Sequence, residues 1–294
     1  MNLRDLQYLV ALAETRHFGR AAERCHVSQP TLSAQLKKLE EYLGVALIER
    51  RPRRVAFTAA GLAVLERARR MLQNADDIRA LARASQDPLT GQLKAGLIPT
   101  LGPYLLPRVM PRIAQALPKL SLLLHEYQTA PLVQRVLDGE LDLAILALPV
   151  DTKALQTRSL FAETFLVALP EKHRLASRRR LRNGDLAGEK LLLLEEGHCL
   201  REHALEACAR AGTEEQDFRA TSLETLRQMV ASGAGITLLP RLAAEGPFTS
   251  ARGLVVRPFA PPVPSRVIGA AWRRSTSRAA AIAAVCGLIA QAAP

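Results

Sequence analysis

The sequence predicts an α/β protein in two parts: a small winged helix-turn-helix head with a long linker helix, and a larger two-lobed α/β body. Three observations predict it. A leucine stripe follows the segment SQPTLS, a knot of arginines surrounds Pro52, and strand-like and helix-like apolar runs alternate after Pro88.

In the head, Leu6, Leu9, Val10 and Ala13 recur at helical spacing and form one apolar face. Phe18 through Cys25 makes a second, short helix, and Cys25-His26-Val27 turns the chain. Ser28 is a good N-cap for a third helix, Pro30 is tolerated in its first turn, and Gly44 ends it. Leu32, Leu36, Leu39 and Leu43 share a stripe there, leaving Gln29, Thr31, Ser33, Gln35, Lys37 and Lys38 on the polar face. Such a pair fits a helix-turn-helix whose second helix presents short donors and acceptors to base edges in the major groove. A helical bundle with a solvated face is the alternative. Arg50, Arg51, Arg53 and Arg54, followed by Val55-Ala56-Phe57, favour the first reading, because a basic hairpin suits phosphate or minor-groove contact.

Thr58 can cap a long helix running to about Ala84, with Leu62, Leu65, Leu72 and Ile78 as its apolar contacts. A dimerising helix would set two recognition helices about one DNA turn apart, or a multiple of it; an intradomain helix is the alternative. Gln86-Asp87-Pro88 breaks the pattern. Strands are then expected at Leu93–Ile98, Leu120–Glu126 and Leu141–Leu148, with helices at Tyr104–Leu117 and around Leu132–Leu137. A second block from Thr164 to about Pro262 repeats the theme with strands at Phe165–Leu169, Lys190–Leu194 and Ile236–Leu239, and Val267–Trp272 returns to the first. The alternation argues for α/β layers with ligands at the C-terminal ends of strands. The expected divisions are a DNA-binding domain over 1–58, a linker helix and hinge over 59–88, and an effector domain over 89–294. Its lobes are 89–162 with 266–294, and 163–265.

The net charge of +12 favours a polyanionic partner, nucleic acid first, because cations that neutralise phosphates release counterions. Solvated surface charge is the bland alternative. Cys25, Cys199, Cys208 and Cys286 are too few and scattered for the disulfide framework of a secreted domain. No Cys or His cluster has zinc spacing, and no phosphate loop or nucleophile elbow is present, so neither metal nor cofactor is expected. The N-terminus lacks a secretory pattern, and the uncharged stretch from Ala279 is Ala-rich and shorter than the roughly 20 apolar residues that span a bilayer. A cytoplasmic protein with no membrane contact and a packed final helix is expected.

The segment LRDLQYLVALAETRHFGRAAERCHVSQPTLSAQLKKLEEYLGVALIER strongly resembles the LysR-type transcriptional regulators. GLIPTLGPYLLP, GELDLAILAL, LAGEKLLLLEEGHCLREHALEAC, FRATSLETLRQMVASGAGITLLP and SRVIG resemble their peroxide-sensing OxyR branch; residues 149–185 and 241–264, with the basic run Arg178 to Arg182, resemble it less. The resemblance implies a periplasmic-binding-protein-like effector domain. It implies operator contacts from Arg4, Gln29, Pro30, Thr31, Ser33, Arg50 and Arg53, and promoter DNA, RNA polymerase and further copies of the chain, as a dimer of dimers, for partners. It also implies hydrogen peroxide as signal, a cellular thiol reductant for recovery, and control of antioxidant genes without enzymatic turnover. Cys199 would be the peroxide-reactive thiol and Cys208 the resolving one, with Thr100, Thr129 and His198 in the peroxide pocket and Arg266 matching a basic residue that favours the thiolate.

Peroxide is attacked by thiolate, so a sensor cysteine needs an anion-favouring, accessible setting. Gly197 breaks the preceding strand and Leu200–Ala211 reads as a helix, which puts Cys199 near a helix N-terminus with its partial positive charge. His198, Arg201 and Arg266 add donors or charge. If both cysteines lie on one helix, a rise of about 1.5 Å per residue separates them by roughly 13 Å, whereas a disulfide needs Cα atoms about 4.4–6.8 Å apart. Bonding would therefore unwind the segment and act as a covalent switch. Spacing alone leaves both cysteines readable as small buried hydrophobes. A LysR-type regulator of a small metabolite without thiol chemistry, and a thiol peroxidase, are the competing functions.

Overall fold

A computed structural model describes residues 1–51, 54–84, 87–150, 153–209, 214–245 and 253–292. The chain divides into two compact units, one of residues 1–86 with 138–140 and one of the remainder.

In the first unit, α1 (Leu3–Thr15) opens with a capping box in which Asn2 and Asp5 satisfy each other's backbone N–H. Its core face is Leu6, Tyr8, Leu9, Ala11 and Leu12, with Val10 and Ala13 packed against it part-buried. His17 caps α2 (Phe18–Arg24) through its ring nitrogen, and the turn passes through His26 in the left-handed region. The Ser28 hydroxyl caps α3 (Gln29–Leu43) and Gly44 ends it at φ 70°. Leu32, Leu36 and Leu39 close the core with Leu47, Leu65 and Ala68. The wing is an antiparallel hairpin of β1 (Ile48–Arg51) and β2 (Arg54–Phe57). Glu40 accepts hydrogen bonds from Leu47 N and Ile48 N and holds the start of β1 on α3. The Thr58 hydroxyl accepts from Gly61 N, capping α4 (Ala59–Ala84) as its sequence suggests. Of the apolar contacts expected from α4, Leu65 is buried and Leu72 packs part-buried on the head core, while Leu62 and Ile78 are 57% and 67% exposed within the single chain.

The second unit begins with two strand-helix-strand steps, β3 (Gly91–Leu97), α5 (Gly102–Ala116), β4 (Leu120–Glu126), α6 (Thr129–Leu137) and β5 (Leu143–Leu148). β3 pairs in parallel with both β4 and β5, and long crossovers of this kind require helices. β6 (Leu155–Pro170) is three times longer than the strand expected at Phe165–Leu169. The second lobe continues with a 3-10 turn (Asn183–Leu186), β7 (Lys190–Leu194), α7 (Cys199–Ala209), β8 (Glu214–Ala220), α8 (Leu223–Ala231), β9 (Thr237–Pro240), α9 (Arg241–Glu245) and β10 (Leu254–Pro258). β11 (Ser265–Arg273) and α10 (Ala279–Ala292) complete the chain. β11 lies between β5 and the first half of β6, so the chain end does return to the first block.

β6 carries two lobes on one strand. Leu155 to Thr164 pair with β11, whereas Phe165 to Pro170 pair with β9 and β10. The changeover falls at Thr164/Phe165. β7 and β8 pair in parallel, with α7 as their crossover.

Candidate functional site

Three of the residues singled out in the effector part occupy equivalent places in the fold. Thr100 follows β3, Thr129 follows β4 and begins α6, and Cys199 follows β7 and begins α7. Each lies just beyond the carboxyl end of a parallel strand, where open α/β sheets bind ligands. Helix N-termini at such places expose unpaired backbone N–H groups with partial positive charge.

Thr100 and His198 line one cavity of about 260 Å³ with Pro99, Tyr104, Glu126 and Ser222. His198 is 6% exposed, and its Nε2 lies 3.8 Å from Glu195 Oε1. Burial lowers its pKa, partly opposed by Glu195, so the neutral imidazole is favoured. Cys199 is half-buried next to it. Thr129 is joined to this region through its neighbour Gln128, whose amide donates to Glu195 Oε1 at 3.3 Å and to the Glu196 carbonyl at 3.5 Å. The Thr129 hydroxyl oxygen is buried and has no protein partner among the described residues.

Arg266 is buried with Glu163. Its Nε and one terminal nitrogen meet Glu163 Oε2 at 2.9 and 2.8 Å, and its guanidinium donates to the Thr100 hydroxyl at 2.9 Å and carbonyl at 3.1 Å. Glu163 thus pairs with the Arg266 cation, and the remaining guanidinium hydrogen bonds go to Thr100. Glu163 was missed because a lone glutamate in the apolar run FAETFLVAL matches no motif. Its place among residues that face inward was the available signal.

Cys199 and Cys208 stand on the same helix, nine residues apart, which corresponds to a rise of about 13 Å. The Cys208 side chain lies outside the described residues. The other two thiols are unlike a reactive one. Burial pushes Cys286 up to about 11 and raises Cys25, so both stay protonated at neutral pH.

In the head, Gln29, Pro30, Thr31 and Ser33 are exposed along the start of α3, and the Thr31 hydroxyl shares a 2.7 Å hydrogen bond with Ser28. Arg4 is also exposed, but on α1, lining a cavity of about 400 Å³ with Gln7, Glu14, Arg24 and His26 that includes no α3 residue. Arg50 lies in β1 opposite Val55, with its side chain outside the described residues, as is all of Arg53. Arg178 to Arg180 and Arg182 are exposed, and Arg178 pairs with Asp185 at 2.6 Å. Among the described residues no group of His, Cys, Asp and Glu is placed to hold a metal ion, and no helix is long and apolar enough to cross a membrane.

Residues 3–62 match the bacterial regulatory helix-turn-helix proteins of the lysR family, and residues 86–294 match the LysR substrate binding domain. The chain belongs to the LysR family of transcription regulators. As a member of that family it is a DNA-binding regulator and not an enzyme. This LysR-family chain is 51% identical over 274 residues to the DNA-binding transcriptional dual regulator OxyR of Escherichia coli K12, covering 93% of this chain and 90% of the relative. Its fold is similar to full-length OxyR from Pseudomonas aeruginosa carrying a cysteine-to-aspartate substitution, with a TM-score of 0.80 and 42% identity over 98% of this chain and 94% of that one. It is also similar to a hydrogen-peroxide-bound cysteine-to-serine variant of OxyR from Corynebacterium glutamicum, with a TM-score of 0.68 and 35% identity over 99% and 92% of the two chains.

Proposed function

We propose that this chain is a hydrogen-peroxide-sensing transcription regulator switched by a disulfide between Cys199 and Cys208. The observation that carries the reading is the position of Cys199 at the start of α7, next to a buried His198 that shares a cavity with Thr100. Relatives named for OxyR, one of them solved with hydrogen peroxide bound, support it.

The Cys199 thiolate attacks one peroxide oxygen, the O–O bond breaks, and sulfur becomes sulfenic acid while the other oxygen leaves as hydroxide and is protonated to water. Cys208 then condenses with the sulfenic acid, releasing a second water and closing the disulfide. Thr100 and Thr129 offer hydroxyls to the peroxide, and His198 offers a neutral imidazole. Because a helix cannot hold the two Cα atoms within disulfide range, closure requires α7 to unwind. A cellular thiol reductant reverses the reaction.

The output is promoter binding in the cytoplasm, with Gln29, Pro30, Thr31 and Ser33 at the major groove and Arg4, Arg50 and Arg53 on phosphates or the minor groove. Leu62, Met71 and Ile78, exposed on α4, support self-association through that helix; a dimer of dimers that contacts RNA polymerase completes the reading by likeness to the family.

Thiol mass spectrometry before and after equimolar peroxide, beside a promoter footprint on the same sample, tests the reading. A Cys199–Cys208 disulfide that forms together with a changed footprint is expected. A Cys199→Ser variant whose footprint still changes with peroxide overturns the thiol mechanism and leaves a regulator of a small metabolite.

A further inference from the structure

We infer that Glu163 is a positioning residue for peroxide reduction, acting through Arg266 to turn the Thr100 hydroxyl proton toward the bound peroxide. The inference rests on the peroxide reading above.

Hydrogen-bond direction carries the argument. A guanidinium can only donate, so Thr100 Oγ1 is the acceptor of its 2.9 Å bond from Arg266. The hydroxyl proton must then point elsewhere, and no acceptor among the described residues takes it. Thr100 lines the same cavity as His198, the neighbour of Cys199, so the free side of that hydroxyl belongs to the ligand space. A second bond from Arg266 to the Thr100 carbonyl, at 3.1 Å, fixes the threonine by two points.

What holds Arg266 is Glu163. The carboxylate is fully buried and both its oxygens are used: Oε2 by Arg266 Nε at 2.9 Å, Oε1 by Leu242 N at 3.0 Å. It stands on β6 next to Thr164, where the strand passes from one lobe's pairing to the other's. Leu242 belongs to the second lobe and Thr100 to the first, so the chain Leu242, Glu163, Arg266, Thr100 spans both. Arg266, neutralised by its partner, works here as an oriented donor. When the thiolate attacks and the O–O bond breaks, negative charge develops on the departing oxygen. A hydroxyl whose proton is already turned that way stabilises it without first reorienting.

The test compares two reactions of Cys199 in the full-length protein. Oxidation by hydrogen peroxide has a departing oxygen for Thr100 to serve; alkylation by iodoacetamide has none. In Glu163→Gln, which keeps the volume and an acceptor for Leu242 N, peroxide oxidation should slow about tenfold, the loss of roughly one charge-assisted orienting contact. Alkylation should keep its rate and its pH profile. In a Thr100→Val background, adding Glu163→Gln should slow peroxide oxidation no further. If Glu163→Gln does not fold, Glu163→Asp, which retains the charge one methylene short, should show the same selective slowing. The inference is overturned if the Glu163 variants match the wild-type peroxide rate, if both reactions slow together, or if the effects of Glu163→Gln and Thr100→Val multiply. If the wild-type protein itself shows no peroxide oxidation that Cys199→Ser abolishes, the peroxide reading falls first, a result distinct from a reactive wild type with equally reactive variants.

Discussion

Gln128 lies directly over Gly197, two residues before Cys199, so that a methyl group at Gly197 would stand 2.5 Å from Gln128 Oε1. Gly197 is also at φ +91°, a region that side chains strongly disfavour. The side chain that reaches across from the β4–α6 turn thus needs glycine on the other side, and the loop before the thiol is shaped by both.

Gly197→Ala is therefore expected to destabilise the effector part by about 1–3 kcal/mol and to slow peroxide oxidation of Cys199. Gln128 is the flexible end of that contact, so adding Gln128→Ala should restore only a minor share. Urea denaturation of the single and double variants checks this; full recovery in the double variant would place the cost in the contact and not in the backbone.

Loosening α7 should speed disulfide closure without altering the first oxidation. Glu206 is exposed in the middle of that helix. Glu206→Gly should cost the helix about 0.5–1 kcal/mol and raise the rate of condensation between Cys199 and Cys208 by roughly two- to fivefold. Sulfenic acid trapping and disulfide formation, followed separately by quenched-flow mass spectrometry, distinguish the two steps.

Stability should fall with acid through two histidines. Burial lowers the pKa of His198, and burial together with the Arg266 cation lowers that of His203. The unfolded chain binds protons near the ordinary histidine value of 6.5, where the folded groups still resist them. Unfolding free energy is then fully retained above about 6.5 and declines as pH drops through the depressed folded values. His198→Gln and His203→Gln should each flatten part of that decline in urea titrations between about pH 5 and 7.5; an unchanged slope in both would refute it.

The head has its own glycine test. A methyl on Gly61 would lie 2.0 Å from the Leu47 carbonyl oxygen, which is backbone and cannot rotate away, so Gly61→Ala should lose about 1–3 kcal/mol and weaken operator binding. Gly287, inside α10, meets nothing within 4 Å, and Gly287→Ala should gain about 0.5–1 kcal/mol. Thermal melts of the two variants should move in opposite directions.

The exposed apolar residues of α4 should govern assembly. Ile78→Glu is expected to lower the sedimentation coefficient and abolish a two-site promoter footprint while leaving the head folded, because Ile78 contributes little to its buried core. An unchanged oligomer would remove α4 as the contact.

Local signals suffice where a residue acts on its near neighbours. The Ser28 and Thr58 caps, the leucines of α3, the strands Leu120–Glu126 and Lys190–Leu194, and a single helix carrying Cys199 and Cys208 could all be read along the chain. Periodicity and capping depend on spacings of a few residues, which the sequence displays directly. Thr100, Thr129 and His198 were named by resemblance; the structure sets each just beyond the carboxyl end of a parallel strand and brings Thr100 and His198 to one cavity. Tertiary structure alone decided the rest. It extended β6 to sixteen residues, because its pairing partners come from β9, β10 and β11, far along the chain. It added Tyr8 and Ala11 to the buried face of α1 and left Leu62 and Ile78 exposed on α4. And it joined Glu163 to Arg266 across 103 residues of chain, giving that cation a buried partner that no local pattern announces. Burial and pairing are properties of what lies opposite a residue, and sequence order records only what lies beside it.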